Sequence, residues 1–295
     1  MKNQADSLRL LVQSMKEDLE AQIDGQEKHT KVITIASGKG GVGKSSFAVN
    51  LSLALSEFRQ KVILLDADLG LANIDVILGI SPPYNLSQVI RGEKSVSEVI
   101  YNGPKGIKII PGGTGMYELA NLQEWQLVNF LTKLSHLDGT ADFFIIDASA
   151  GLSKSVLSFA LAADEIIIVT TGEPTALTDA YGMIKTIRQQ RYNGRVKLVV
   201  NRIIDAAEGV AVYKKLEIAV NRFLKYSLDY LGPIREDPKV GQAINEQSPL
   251  VLTYPHAPAS QDILTIAASM SKQEYHPNPH NGLKGFFSRV AEYFR

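Results

Sequence analysis

Residues 38–45 read Gly-Lys-Gly-Gly-Val-Gly-Lys-Ser, a spacing of glycines, lysine and hydroxyl that can hold a polyphosphate. Gly38, Gly40, Gly41 and Gly43 let backbone N–H groups turn inward around phosphate oxygens, and a helix starting at the loop's end adds positive potential. Lys44 offers its charge to the β- and γ-phosphates, while the Ser45 hydroxyl can ligate the Mg2+ that accompanies them. Val42 and Ser46 belong to the same cradle. An apolar run at 32–36 precedes it and the stretch SSFAVNLSLAL follows, so strand, loop and helix come in the order this chemistry requires.

Two acidic blocks supply the remaining parts of such a site. After the second apolar run comes Asp66-Ala67-Asp68-Leu69-Gly70-Leu71-Ala72-Asn73-Ile74-Asp75, and after the fourth comes Asp147-Ala148-Ser149-Ala150-Gly151. Phosphoryl transfer asks a protein for little covalent help, only a placed water and neutralised charge. A carboxylate at the C-terminal end of a strand beside the phosphate loop can hold Mg2+ through water. Gly151 permits a backbone amide to approach the γ-phosphate. Taken singly, each aspartate could equally cap a strand end or form a turn; three blocks in the right order favour the catalytic reading.

The elements that must carry these residues are legible as short, continuous, β-branched runs at 32–36, 62–65, 107–110, 143–146, 166–170 and 196–200, with further candidates at 231–234 and 250–253. Continuous rather than alternating runs suit strands buried on both faces. Helical stretches at 45–58, 123–134, 175–190 and 212–223 lie between them. This alternation predicts right-handed βαβ units in an α/β, doubly wound, mostly parallel sheet flanked by helices. The expected organisation is an N-terminal helix and polar link over 1–27, a nucleotide-binding domain over 28–272, a linker over 273–282 and a terminal helix over 283–295. The chain has no cysteine, which excludes a disulfide framework, a thiolate metal site and a cysteine nucleophile. Lys+Arg and Asp+Glu are both 31, so overall charge does not point to nucleic acid. The mixed charges of residues 1–19 predict no secretory signal, and no apolar run reaches the ~18 residues of a spanning helix, so a cytoplasmic protein is expected.

The sequence KGGVGKS, with its additional Lys39, resembles the deviant Walker A loop of the MinD/ParA/NifH family of dimerising P-loop ATPases. The resemblance covers residues 30–270. It implies that Lys39 reaches across a homodimer to the partner's nucleotide, that Asp68 in switch I orients the attacking water, and that Asp66 and Asp147 support the Mg2+ shell with Ser45. D-x-D-x-G-L-x-N-x-D is particularly close to the MinD branch. The family usually reads D-x-P-A-G at switch II; Ser149 replaces the proline here, and the expected effect is on loop stiffness rather than chemistry. Asn201-Arg202 resembles the family's adenine-reading pair, and the segment with Pro233, Arg235 and Asp237 resembles the loop that closes over the base. No guanine-reading block is present, so ATP with Mg2+ is the implied nucleotide.

The ends narrow the choice. Asn3-Gln4-Ala5-Asp6-Ser7-Leu8-Arg9 resembles D-Q-A-x-x-L-R, the activator motif of the FlhG (YlxH) group, MinD-like flagellar-number ATPases. Asn3 departs from the usual aspartate. The resemblance implies a helix that stimulates the FlhF GTPase, with Gln4 reaching the partner's site, Leu8 anchoring the helix, and Arg9 acting as a transition-state charge or an ion-pair former. It also implies flagellar switch and C-ring proteins as partners. At the other end, Leu283, Phe286, Phe287, Val290 and Phe294 fall on one helical face, with Lys284, Arg289 and Arg295 on other faces or flanks. Such a helix either docks on its own domain or lies reversibly in the inner face of the cell membrane, and a switch between the two is the expectation. Two rivals stay open: a MinD-type division-site scaffold, and an assembly or metal-carrier adaptor on the same fold. The 27-residue N-terminal extension favours the flagellar reading.

Overall fold

The computed structural model describes residues 29–68, 73–113, 122–272 and 282–294. Among these residues eight strands form a single sheet: β1 (Lys31–Ser37), β2 (Val62–Ala67), β3 (Tyr101–Asn102), β4 (Lys108–Ile110), β5 (Phe143–Ala150), β6 (Glu165–Thr171), β7 (Arg195–Ile203) and β8 (Asp229–Arg235). Their order is β3-β4-β2-β5-β1-β6-β7-β8. Among the described residues, only the β3–β4 pair is antiparallel. The helices are α1 (Lys44–Glu57), α2 (Asn73–Leu78), α3 (Leu86–Ile90), α4 (Val96–Val99), α5 (Glu124–Ser135), α6 (Lys154–Ala162), α7 (Pro174–Gln189), α8 (Ala206–Leu224), α9 (Pro238–Asn245), α10 (Leu250–Thr253), α11 (Pro258–Ser271) and α12 (Gly282–Phe294).

The continuous apolar strands are buried on both faces, and the pleat divides them between two layers. Ile33, Ile35, Leu64, Phe143 and Ile145 face the core built with α1 and α11. Val32, Ile63, Leu65, Phe144 and Ile146 face the opposite core with α5, α6 and α12. The expected doubly wound α/β architecture is therefore present. Strand order reverses at β1, which lies between β5 and β6, so the loop after β1 opens at the crevice where such sheets bind ligands.

Two elements differ from the sequence reading. The run at 250–253 is helix α10, not a strand. Four apolar residues do not distinguish the two. Pro249 presets a turn, the Val251 amide donates to Asn50 Oδ1 of α1 (2.9 Å), and the Thr253 and Tyr254 amides donate back to Pro249 and Leu250. Strand β3 has only two residues and shows no apolar run; its pairing with β4 makes it.

Helix α12 is docked. Leu283, Phe286, Phe287 and Val290, the residues expected to meet lipid, are at most 1% exposed in the second core. Phe287 meets Phe144 edge-on with centroids 6.0 Å apart, and Phe286 stacks on Phe159 at 6.3 Å. Polar contacts fix both ends of the docked stretch. The Lys284 amide donates to Asp138 Oδ2 (3.4 Å), and the Arg289 guanidinium donates to the Ala162 carbonyl at the end of α6 (3.0 and 2.6 Å). The Phe294 side chain lies outside the described residues.

Candidate functional site

The loop after β1 folds as its glycines require. Gly43 has φ +89°, a left-handed conformation, and a Cβ there would collide with the Asn201 amide. Gly38 packs against the Asp179 backbone of α7, where a Cβ would also collide. Asn201, at the C-terminal end of β7, donates from Nδ2 to the Val42 carbonyl (2.8 Å) and accepts the Arg202 amide on Oδ1 (2.9 Å). Asn201 thus lies against the phosphate loop, with its amide group braced between the loop and its own backbone.

Lys44 and Ser45 open α1 directly after this turn. Lys44 Nζ pairs with Asp147 Oδ1 at 2.5 Å, both side chains being buried, and lies 3.2 Å from Ser45 Oγ. The Ser45 hydroxyl also hydrogen-bonds Asp147. Parallel pairing of β2 with β5 sets Asp66 beside Asp147 in register. Two carboxylates therefore share one buried place. Burial, and then the Asp147 charge, push the Asp66 carboxyl up to about 7. Burial also raises Asp147, opposed by the Lys44 charge. Burial raises Asp75, whose negative charge adds to the load on Asp66.

One oxygen of each carboxylate, Asp66 Oδ2, Asp75 Oδ1 and Asp147 Oδ2, is buried without a hydrogen-bond partner among the described residues. Buried carboxylate oxygens are costly in that state. Those of Asp66 and Asp147, with the Ser45 hydroxyl, are hard oxygen donors of the kind that suits Mg2+. No cage of three His, Cys, Asp or Glu side chains exists among the described residues, so an ion here needs phosphate oxygens as well.

Asp68 follows β2, its amide donating to Asp66 Oδ1 (3.1 Å). Its carboxylate accepts the Ser149 hydroxyl on Oδ1 (2.8 Å), with Asn73 Nδ2 at 3.5 Å from Oδ2. Lys39 Nζ donates to Glu173 Oε2 (3.0 Å) and Thr175 Oγ1 (3.1 Å) at the start of α7. Sequence reasoning missed Glu173, Thr175 and the Ser149–Asp68 bond. The serine was visible as a departure from the motif, but its partner lies 81 residues away.

The expected base-closing residues make contacts within the fold. Arg235 pairs with Asp262 through Nε (2.9 Å) and Nη2 (2.7 Å). Asp237 caps α9, accepting the Lys239 amide (2.9 Å) and the Ala259 amide (3.3 Å). Pro233 packs against Gly209 of α8. Gln4, Leu8 and Arg9, residues 69–72 of switch I and residues 273–281 lie outside the described residues.

Comparison with known proteins follows the same lines. A family model described as ParA, NUBPL iron-transfer P-loop NTPase, matches residues 28–271. The antiactivator FleN of Pseudomonas aeruginosa is 35% identical over 91% of this chain and 96% of its own. The flagellum site-determining protein YlxH of Helicobacter pylori is 34% identical over 90% of this chain and 91% of its own. The septum site-determining protein MinD complexed with Mg-ADP, from Pyrococcus horikoshii OT3, superposes with a TM-score of 0.68 at 27% identity, covering 82% of this chain and 96% of that one.

The buried carboxylate pair has a measurable consequence for the nucleotide-free protein. A carboxyl raised from its ordinary value to about 7 binds more protons folded than unfolded, so its contribution to stability falls as pH rises from about 4 through 7. At pH 8, without nucleotide or Mg2+, Asp66→Asn should melt roughly 2–4 °C above wild type, a gain of about 1 kcal/mol. The advantage should vanish near pH 5, where wild-type Asp66 is protonated. Scanning calorimetry at both pH values checks this; an equal difference at the two would refute the assignment.

Proposed function

We propose that this chain, which belongs to the MinD/ParA family of P-loop ATPases, works as an ATP-switched regulator of flagellar number and placement. The ATPase assignment comes with the family. The observation that carries the flagellar reading is the pair of relatives, FleN and YlxH, matched over about nine-tenths of the chain. The likeness to MinD supports a second reading, a division-site scaffold, and the activator-like segment around Gln4 weighs against it.

The site's residues divide the work. The loop's backbone amides and Lys44 bind the phosphates, with Lys44 exchanging Asp147 for the nucleotide. Ser45, Asp66 and Asp147 would hold Mg2+, directly or through water. When bound, that ion neutralises charge on the β- and γ-phosphate oxygens. Asp68 orients the attacking water. The Asn201 and Arg202 pair faces the adenine, with Pro233, Arg235 and Asp237 shaping the loop beside it. Lys39 is held by an exposed ion pair of the kind that contributes little in water, with side chains 40% and 59% exposed. It is therefore free to exchange Glu173 for a phosphate across an ATP-bound homodimer. Dimerisation releases α12 toward the membrane, and two helices per dimer gain avidity. No helix among the described residues is long and apolar enough to cross a membrane, which suits a peripheral contact. The segment with Gln4, Leu8 and Arg9 stimulates the FlhF GTPase, and flagellar switch and C-ring proteins are the downstream partners.

Liposome flotation tests the membrane step. Wild type should float with ATP and much less with ADP, and a chain truncated at Asn281 should stay in solution; equal flotation of all three would refute it. For the flagellar step, a peptide of residues 1–20 should raise FlhF GTP hydrolysis, with Gln4→Ala abolishing the effect. Equal stimulation by both peptides would remove Gln4 from that role.

A further inference from the structure

We propose that Ser149 is a positioning residue for ATP hydrolysis: its hydroxyl holds the Asp68 carboxylate where it orients the attacking water. The proposal rests on the reading of Asp68 given above. Ser149 Oγ donates to Asp68 Oδ1 at 2.8 Å, a short bond between two segments far apart in sequence. The two ends differ in rigidity. Ser149 is built into β5, whose next residue Ala150 pairs with Ser37 of β1 and whose following Gly151 amide donates to the Ser37 carbonyl (2.9 Å). Asp68 instead stands at the first position after β2, where strand pairing has ended.

Electrostatics gives the tether its task. Asp68 sits beside Asp66 and Asp147, and its charge bears unfavourably on Asp147. Like charges in a buried site push a carboxylate outward. Asn73 Nδ2, at 3.5 Å from Oδ2, makes a longer contact than the serine does. A hydroxyl donor on the rigid strand offsets the repulsion and selects one rotamer of Asp68. The family motif places proline here, which has no side-chain donor, so this chain carries a device that the motif lacks.

In the step concerned, a water oxygen bonds to the γ-phosphorus as the bond to the ADP oxygen breaks. The electron pair leaves with ADP, and the water's proton passes to the released phosphate. Asp68 contributes orientation, so loss of its tether should lower turnover without lowering ATP affinity.

The test uses the full chain with saturating Mg-ATP and four proteins: wild type, Ser149→Ala, Ser149→Thr and Asp68→Ala. Ser149→Ala should lose about tenfold in kcat, the scale of one hydrogen bond to a charged group. Its affinity for a fluorescent ATP analogue and its melting midpoint should match wild type. Ser149→Thr, which keeps the hydroxyl on a strand-compatible residue, should recover most of the rate. Ser149→Ala turning over as fast as wild type, or faster, while Asp68→Ala is inactive would overturn the tether alone. So would a Thr variant as slow as Ala, or an ATP affinity that falls in step with kcat, which marks a structural role. An active Asp68→Ala would overturn the reading of Asp68 and the tether together.

Discussion

Two carboxylates buried side by side, Asp66 and Asp147, set the terms for everything around them. Parallel register between β2 and β5 leaves them no distance to gain. Lys44 neutralises part of the charge through Asp147, yet an oxygen on each carboxylate stays unpaired among the described residues. A fold optimised for stability alone would replace such a pair. Its retention makes sense when phosphates and a divalent cation complete the site, because binding then removes a cost that folding has already met. The glycine loop, the Asn201 brace on Val42 and the Ser149 bond to Asp68 all converge on that same volume.

The helix at the C-terminal end follows a related logic. Docking Leu283, Phe286, Phe287 and Val290 fills the second core, so releasing α12 exposes its own apolar face and the surface of α5 and α6 that it covered. Release therefore needs a compensating surface, and a bilayer interface is one. The polar contacts at Asp138 and Ala162 hold two points of a short helix. One amphipathic face serves a docked helix or a membrane anchor equally well, which is why periodicity alone left both open; the structure shows the docked state.

Legibility from sequence followed locality. The phosphate loop and the central strands are contiguous patterns whose physics is complete within a dozen residues, and the structure places them as read. Elements defined by distant partners were not legible. Helix α10 depends on Asn50 capturing the Val251 amide, and β3 exists only because β4 is beside it. The same reason hid the partner of Ser149 and the seat of Lys39 on Glu173 and Thr175. Arg235 and Asp237, singled out for the base, spend their hydrogen bonds on Asp262 and on the amides of Lys239 and Ala259. Motif resemblance identifies positions; it does not reveal what else those side chains hold.

The central claim is that ATP converts separate chains into a dimer by drawing Lys39 off Glu173 and onto a partner's phosphates. Sedimentation velocity of the full chain in Mg2+ with no nucleotide, with ADP and with a slowly hydrolysed ATP analogue measures it directly, run beside Lys39→Ala. The account predicts a dimer only for wild type with the ATP analogue, while Lys39→Ala still binds nucleotide and stays monomeric. A Lys39→Ala dimer in the presence of the analogue, or a wild type that remains monomeric with it, would contradict the account.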